Sequence, residues 1–408
     1  MLRRAMGDET PAPTPAEAER ALAVVSLAVL LAAGTWFSGT AAIPALRREW
    51  GLGEAASAWL TVSVQIGFIT GTLLYAIFNV ADVFNARRVF LASSLLGAAC
   101  NAGFAWLAHG LPAALVFRFL TGLTLAGVYP VGMKIVATWF RSGLGWRLGV
   151  MVGALTLGTA TPYLIQALGG SAGWRWLTSL GSASAVAGGV LITAAVGDGP
   201  YLPTRARFDP RVLFRVFAHR PFRYTALGYF GHMWELYALW SLLGFYLAGS
   251  FAAHGPRWMH AIPLVAFATV AMGTVGCVVG GWVSRRVGER NVALASLLAS
   301  GTMCALSGFA YGLPPVGLLV FLLAWGFFVV SDSPQFSALA ARHCPPEYTG
   351  TALTVQNGLG FAVTVVSIQL LPFVAGLVGW RWAFAFLTAG PALGAFFMWQ
   401  LAPSPPRA

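Results

Sequence analysis

From Ala21 to Ala402 the chain alternates twelve apolar stretches with short polar breaks. Each stretch has the roughly twenty residues that a helix needs to cross a bilayer. The spans predicted from this pattern are 21–44, 55–79, 88–109, 111–140, 147–169, 175–197, 221–249, 259–283, 291–312, 314–341, 350–376 and 382–402. The longest of them imply tilt or protruding ends. Residues 198–220 separate the sixth span from the seventh and carry Arg205, Arg207, Arg211, Arg215 and Arg220. Pro200, Pro203 and Pro210 oppose a continuous helix there. The tetrapeptide Gly173-Trp-Arg-Trp176 at the entry to span six returns as Gly379-Trp-Arg-Trp382 before span twelve, so the halves read as tandem copies. The predicted organisation is a tail over 1–20, a six-helix bundle over 21–197, a linker over 198–220, a second six-helix bundle over 221–402 and a tail over 403–408.

Composition reinforces the pattern, because 58% hydrophobic and 9% charged residues leave too little polar material to cover a water-soluble body. The lipid bilayer is the expected surroundings. The net charge of +12 lies in short loops rather than on one basic face, which argues against nucleic acid as a partner. Cys100, Cys277 and Cys304 fall within spans and Cys344 in a loop, a spacing that implies no disulfide framework. The first apolar stretch is too long for a signal-peptide core and is read as a retained span. Of the 25 basic residues, only Arg47, Arg48, Arg175, Arg257 and Arg381 fall on the side away from the termini and linker. That bias predicts both termini in the cytoplasm and suits a plasma-membrane protein.

Several motifs resemble the major facilitator superfamily, a family of secondary transporters, across essentially the whole chain. Besides the paired six-span halves and repeated GWRW, the loop Gly281-Trp-Val-Ser-Arg285-Arg286-Val-Gly288-Glu289-Arg290 is similar to the family's Gly-x-Leu-x-Asp-Arg-x-Gly-Arg-Arg signature. Its charges are exchanged, with Arg285 at the usual Asp and Glu289 at a usual Arg. The first copy keeps Asp82, Arg87 and Arg88 but has Phe78 and Asn85 at the glycine positions. In span four, Arg118-Phe-Leu-Thr-Gly122 resembles the family's Arg-x-x-Gln-Gly, with Thr121 replacing Gln. The resemblance implies an all-α integral membrane fold of twelve helices in two pseudo-symmetric bundles. It also implies a midplane cavity lined by spans 1, 4, 7 and 10, and gating loops that contain Asp82, Arg87, Arg88, Arg285, Gly288, Glu289 and Arg290. The competing reading is that these arginines only set topology.

Four charges lie well inside predicted spans, away from their ends: Arg118 and Lys134 in the first half, Glu235 and Asp332 in the second. At about 2.5–3.5 kcal/mol per central charge, such placement is seldom accidental. Lys134 is the only lysine against twenty-four arginines, which suggests that an ammonium is needed to contact a small anion; the competing reading is snorkelling to the headgroups. Arg118 serves either the anion or an interhelical brace. Glu235 and His232, three apart, share a helical face and make a candidate proton site. Asp332, in Ser331-Asp-Ser-Pro334, sits beside a predicted helix interruption, where it could take a proton, hold substrate or cap the break.

Trp36, Gln65, Tyr163, Gln166, Gln356 and Asn357 complete the candidate substrate-binding set, although such residues also serve as helix-packing contacts. No Walker loop, HExxH or metal-ligand spacing occurs, so neither cofactor nor metal is expected and ATP-driven transport has no motif support. The expected activity is proton-coupled symport of a small anionic solute by alternating access, with a small molecule and protons as partners. One alternative is a proton antiporter exporting a drug-like or cationic solute, although span five reads Gly158-Thr-Ala-Thr-Pro162 rather than Gly-Pro-x-x-Gly-Gly. From other classes, a membrane substrate-sensing receptor or an intramembrane enzyme would fit the same charges.

Overall fold

The computed structural model describes residues 13–78, 80–140, 144–169, 173–201, 212–344 and 349–402. The described residues are almost entirely helical and contain no strand. In the first half, α1 (Pro15–Trp50), α2 (Glu54–Ile77), the short α3 (Val80–Val83), α4 (Ala86–Leu107), α5 (Leu111–Leu125), α6 (Tyr129–Ala137), α7 (Leu144–Leu168) and α8 (Trp174–Ala195) form spans one to six. After α9 (Val212–Ala218) in the linker, the second half comprises α10 (Arg220–Phe251), α11 (Pro256–Val287), α12 (Glu289–Ala310), α13 (Pro315–Ser331), α14 (Ser333–Arg342), α15 (Thr349–Ala383), a 3-10 segment (Phe384–Thr388) and α16 (Ala389–Gln400).

Local chemistry explains the corners. α1 opens on a capping box between Thr14 and Glu17 with Pro15 in its first turn, and closes on Gly51 in the left-handed region. Gly379 (φ 76) turns the chain inside the otherwise unbroken run of α15, so spans eleven and twelve part there. Among the described residues eleven helices are long and apolar enough to cross a membrane, the last of which contains both of those spans. Two spans are themselves broken. Span ten divides at Asp332 before Pro334, as its sequence predicts, and span four divides over 126–128 ahead of Pro130, where continuity was expected.

The halves repeat the same packing. α1 packs on α7 and α8, α2 on α5, and α4 on α5 and α8; α10 correspondingly packs on α15 and α16, α11 on α13, and α12 on α13 and α16. Two matched seams join the bundles, α2 along α15 and α7 along α11. Large apolar side chains such as Leu96, Leu168, Phe309, Val320, Phe373 and Trp399 remain outward, the surface expected of a protein solvated by lipid.

Candidate substrate and proton sites

The second bundle encloses both intramembrane acids. Glu235 on α10 is 1% exposed and accepts hydrogen bonds from Trp325 Nε1 on α13 at 2.6 Å and Ser300 Oγ on α12 at 2.8 Å. His232, one turn earlier, does not pair with Glu235 although the two share a face. Its Nδ1 lies 2.9 Å from Asp332 Oδ1 at the break between α13 and α14, with both side chains 1% exposed. The spacing that makes His232 and Glu235 helical neighbours sends them to different partners on other spans.

In the first bundle Arg118 is fully buried and braces α1 against α4 and α5. It donates to the Thr35 carbonyl at 2.9 Å, Asn101 Oδ1 at 3.2 Å, Ser38 Oγ at 3.3 Å and the Trp36 carbonyl. Gly39 makes this approach feasible, because a Cβ there would lie 2.7 Å from Arg118 Nε. No carboxylate pairs with Arg118 among the described residues, so its charge is met by carbonyl and amide dipoles. Lys134 is half-buried on α6, past the break in span four.

Between the bundles lies a cluster of rings. Trp36 packs against Phe68 (centroids 4.8 Å), Phe361 (5.6 Å) and Tyr237 (5.9 Å), and Phe37 stacks on Tyr237 at 6.1 Å. Trp36 Nε1 donates to Gln65 Oε1 at 3.0 Å, and Tyr163 OH reaches across the halves to the Trp240 carbonyl at 2.9 Å. Gln356 is fully buried on α15 and Asn357 beside it is half-buried. Gln166 lies apart from this cluster, in a cavity of about 140 Å³ within the first bundle that Ser38, Arg48, Trp174 and Thr178 also line.

The loop residues form clamps on the linker side. Asn85 caps α4, its Oδ1 accepting from the backbone N–H groups of Arg87 and Arg88, while Arg87 donates to Asp198 at 2.9 Å and the Val196 carbonyl at 2.8 Å. The Arg87 hydrogen bond, followed by that of Asn85, holds the Asp198 carboxyl below its ordinary range. In the second bundle Arg290 donates to the carbonyls of Met398 (2.9 Å), Trp399 (2.7 Å) and Leu401 (3.1 Å) at the end of span twelve. Glu289, in the first turn of α12, pairs with Arg342 at 2.9 Å, Gly288 turns the chain with φ 84, and Arg285 is exposed. Asp82 belongs to α3; its side chain, together with Arg205, Arg207, Arg211 and the terminal stretches 1–12 and 403–408, lies outside the described residues.

Sequence reasoning missed Ser300, Trp325, Asn101, Arg342 and the rings Phe68, Tyr237 and Phe361. For Ser300 a signal existed, since Ser296, Ser300 and Ser307 mark a polar stripe along an otherwise apolar span. The aromatic residues carried none, because Phe and Tyr are ordinary in apolar spans.

Two six-span bundles joined at matched seams around buried acids and rings have the architecture of a membrane transporter rather than an enzyme. The family model described as Major Facilitator Superfamily matches residues 25–368, and the chain belongs to that superfamily. The proton:xylose symporter XylE has the same fold, with a TM-score of 0.76 at 14% identity over 95% of this chain and 96% of that one. The Niacin transporter NiaP of Acinetobacter baylyi is 31% identical over 176 residues, 40% of this chain and 37% of the relative. The Probable galactarate/D-glucarate transporter GudP of Escherichia coli is 27% identical over 129 residues, 31% and 28% respectively. This chain thus matches less than two fifths of the length of either relative.

Proposed function

We propose that this transporter is a proton-coupled symporter of a small anionic solute, alternating access between its halves in the plasma membrane with both termini cytoplasmic. The observation that carries this reading is how the two buried acids are held. Trp325 and Ser300 hold Glu235, and His232 holds Asp332, with no arginine or lysine salt bridge to either among the described residues. A carboxyl so held can gain or lose a proton once water reaches it, without first breaking a fixed ion pair. Lys134 on α6 supplies a cation on the opposite half, close in sequence to the break in span four. Niacin and glucarate, the solutes in the names of the two relatives, are carboxylates at neutral pH, which favours an anion over a cation.

The test is uptake of radiolabelled nicotinate and D-glucarate into proteoliposomes with and without an imposed pH gradient. An acidic exterior should drive accumulation by the wild type. Glu235→Gln should abolish that accumulation while preserving exchange between equal pools, and Lys134→Ala should weaken half-saturation by about tenfold, the loss of one charged contact. Gradient-driven accumulation unchanged by both Glu235→Gln and Asp332→Asn would remove these acids from coupling, and solute leaving against entering protons would identify an antiporter. Impermeant labelling of the exposed Ala253→Cys from outside the cell checks the orientation.

A further inference from the structure

The ring cluster between the bundles carries unsatisfied hydrogen-bonding groups. Trp36 occupies only the Oε1 of Gln65, leaving Gln65 Nε2 without a partner; the Trp240 indole N–H is likewise buried and unpartnered among the described residues. Gln65 is 0% exposed and Trp240 3%. Buried amides are ordinarily paired, and an unmade bond there is costly, so groups of this kind mark where a ligand or water completes the set. Gln65 stands one turn before Phe68 on α2 and bonds Trp36, and Trp240 packs edge-on against Phe37 and Tyr237, so both donors lie at the rings.

We infer that the solute bound between the halves is a single-ring aromatic or heteroaromatic carboxylate, its ring received among Trp36, Tyr237 and Phe361 and its polar edge by the Gln65 amide and the Trp240 indole N–H. This rests on the anion-transport reading for the place of the site, and not on proton coupling. The donor and acceptor inventory separates the two kinds of acid named by the relatives. A sugar diacid has a hydroxyl on every interior carbon and a carboxylate at each end, and each hydroxyl both donates and accepts. Burying it takes many polar partners. The rings carry one free amide NH2 group and one indole N–H, enough for a carboxylate or ring nitrogen but far short of a polyol chain. Flat rings, in turn, offer offset and edge-on packing to a flat ligand. Trp36 and Phe361 come from opposite halves and now contact one another at 5.6 Å, so the ligand enters as the halves separate and the rings re-form around it.

Counterflow at equal pH on both sides isolates recognition from coupling. Wild-type proteoliposomes loaded with unlabelled nicotinate should take up labelled nicotinate, and excess benzoate should compete; D-glucarate should neither exchange nor compete. Gln65→Leu, close in size and without polar atoms, should raise the half-saturation concentration by about tenfold, as should Trp36→Leu through lost ring packing. Should Trp36→Leu fail to fold, as judged by size-exclusion profile, Gln65→Leu still decides the matter. Exchange of glucarate in preference to nicotinate, exchange of neither, or unaltered nicotinate kinetics in Gln65→Leu overturns the inference. Nicotinate exchange that ignores pH gradients supports the ring site and refutes only the coupling.

Discussion

Arg118 and Lys134 show how differently two intramembrane cations can be used. The planar guanidinium of Arg118 suits its setting, since it reaches acceptors on α1 and α4 together; a lysine has three donors on one atom and cannot span them. Arg118→Lys should therefore leave several of these groups unsatisfied and destabilise the first bundle by about 2 kcal/mol or more. The expected result is a lower midpoint of thermal unfolding in detergent, with the half-saturation of the surviving protein unchanged. A protein of wild-type thermal stability but altered substrate affinity would show that Arg118 faces solute instead. The charges themselves were legible in the sequence because charge inside an apolar span is rare. Their partners were not, because one-dimensional spacing describes only the face of a single helix, as the separate bonding of His232 and Glu235 illustrates.

At the scale of elements, paired glycines set the closest helix contacts in both bundles. A Cβ on Gly67 of α2 would sit 2.0 Å from the Phe119 carbonyl oxygen, and one on Gly122 of α5 would sit 2.0 Å from that of Val64. The second bundle repeats the device between α11 and α13: a Cβ on Gly276 would lie 2.1 Å from the Phe327 oxygen, and one on Gly326 would lie 1.9 Å from that of Thr269. The obstacles are backbone atoms, which a rotamer change cannot move aside. Gly122→Ala and Gly326→Ala should each force the helices apart, costing about 1–3 kcal/mol and lowering yield of monodisperse protein, whereas Gly376→Ala, with open space around it, should behave as wild type. Equal thermal midpoints across the three variants would dismiss this account. These contacts underlie a repeat that hydropathy already displayed as twelve spans. The break in span four escaped notice because apolar residues flank Pro130 on both sides, while Asp332 and two serines made the break in span ten visible.

Across the whole molecule, the two copies of GWRW take up different tasks. In the first, Trp174 Nε1 donates to Glu49 within its own bundle at 2.8 Å, and Trp176 packs edge-on against Trp106. In the second, Trp382 likewise packs edge-on against Phe309, but Trp380 crosses to the other half. Its indole donates to Glu54 at 3.3 Å and stacks on Phe245 at 5.1 Å and 11°, while Arg47 of the first half lies over that same Phe245 ring at 5.1 Å. These contacts close the face away from the linker, and α7 against α11, with Thr274 Oγ1 bonded to the Gly153 carbonyl at 2.9 Å, helps hold the other seam. A transporter that alternates must open one face at a time, so weakening the contacts that close this one should shift the resting population toward opening there. Trp380→Ala removes the hydrogen bond to the Glu54 carboxylate across the halves, worth about 1.5 kcal/mol, which corresponds to a shift of about tenfold. The readout is the rate at which an impermeant maleimide labels Gly244→Cys, a position on α10 beside Phe245 where a side chain meets open space. In an otherwise cysteine-free protein, Trp380→Ala should raise that rate by about tenfold, whereas Trp174→Ala should lower thermal stability and leave the rate unchanged. Equal acceleration by the two tryptophan variants would mean that both copies act only by stabilising their own bundle, and acceleration by neither would place the closing contacts of this face elsewhere on the seam.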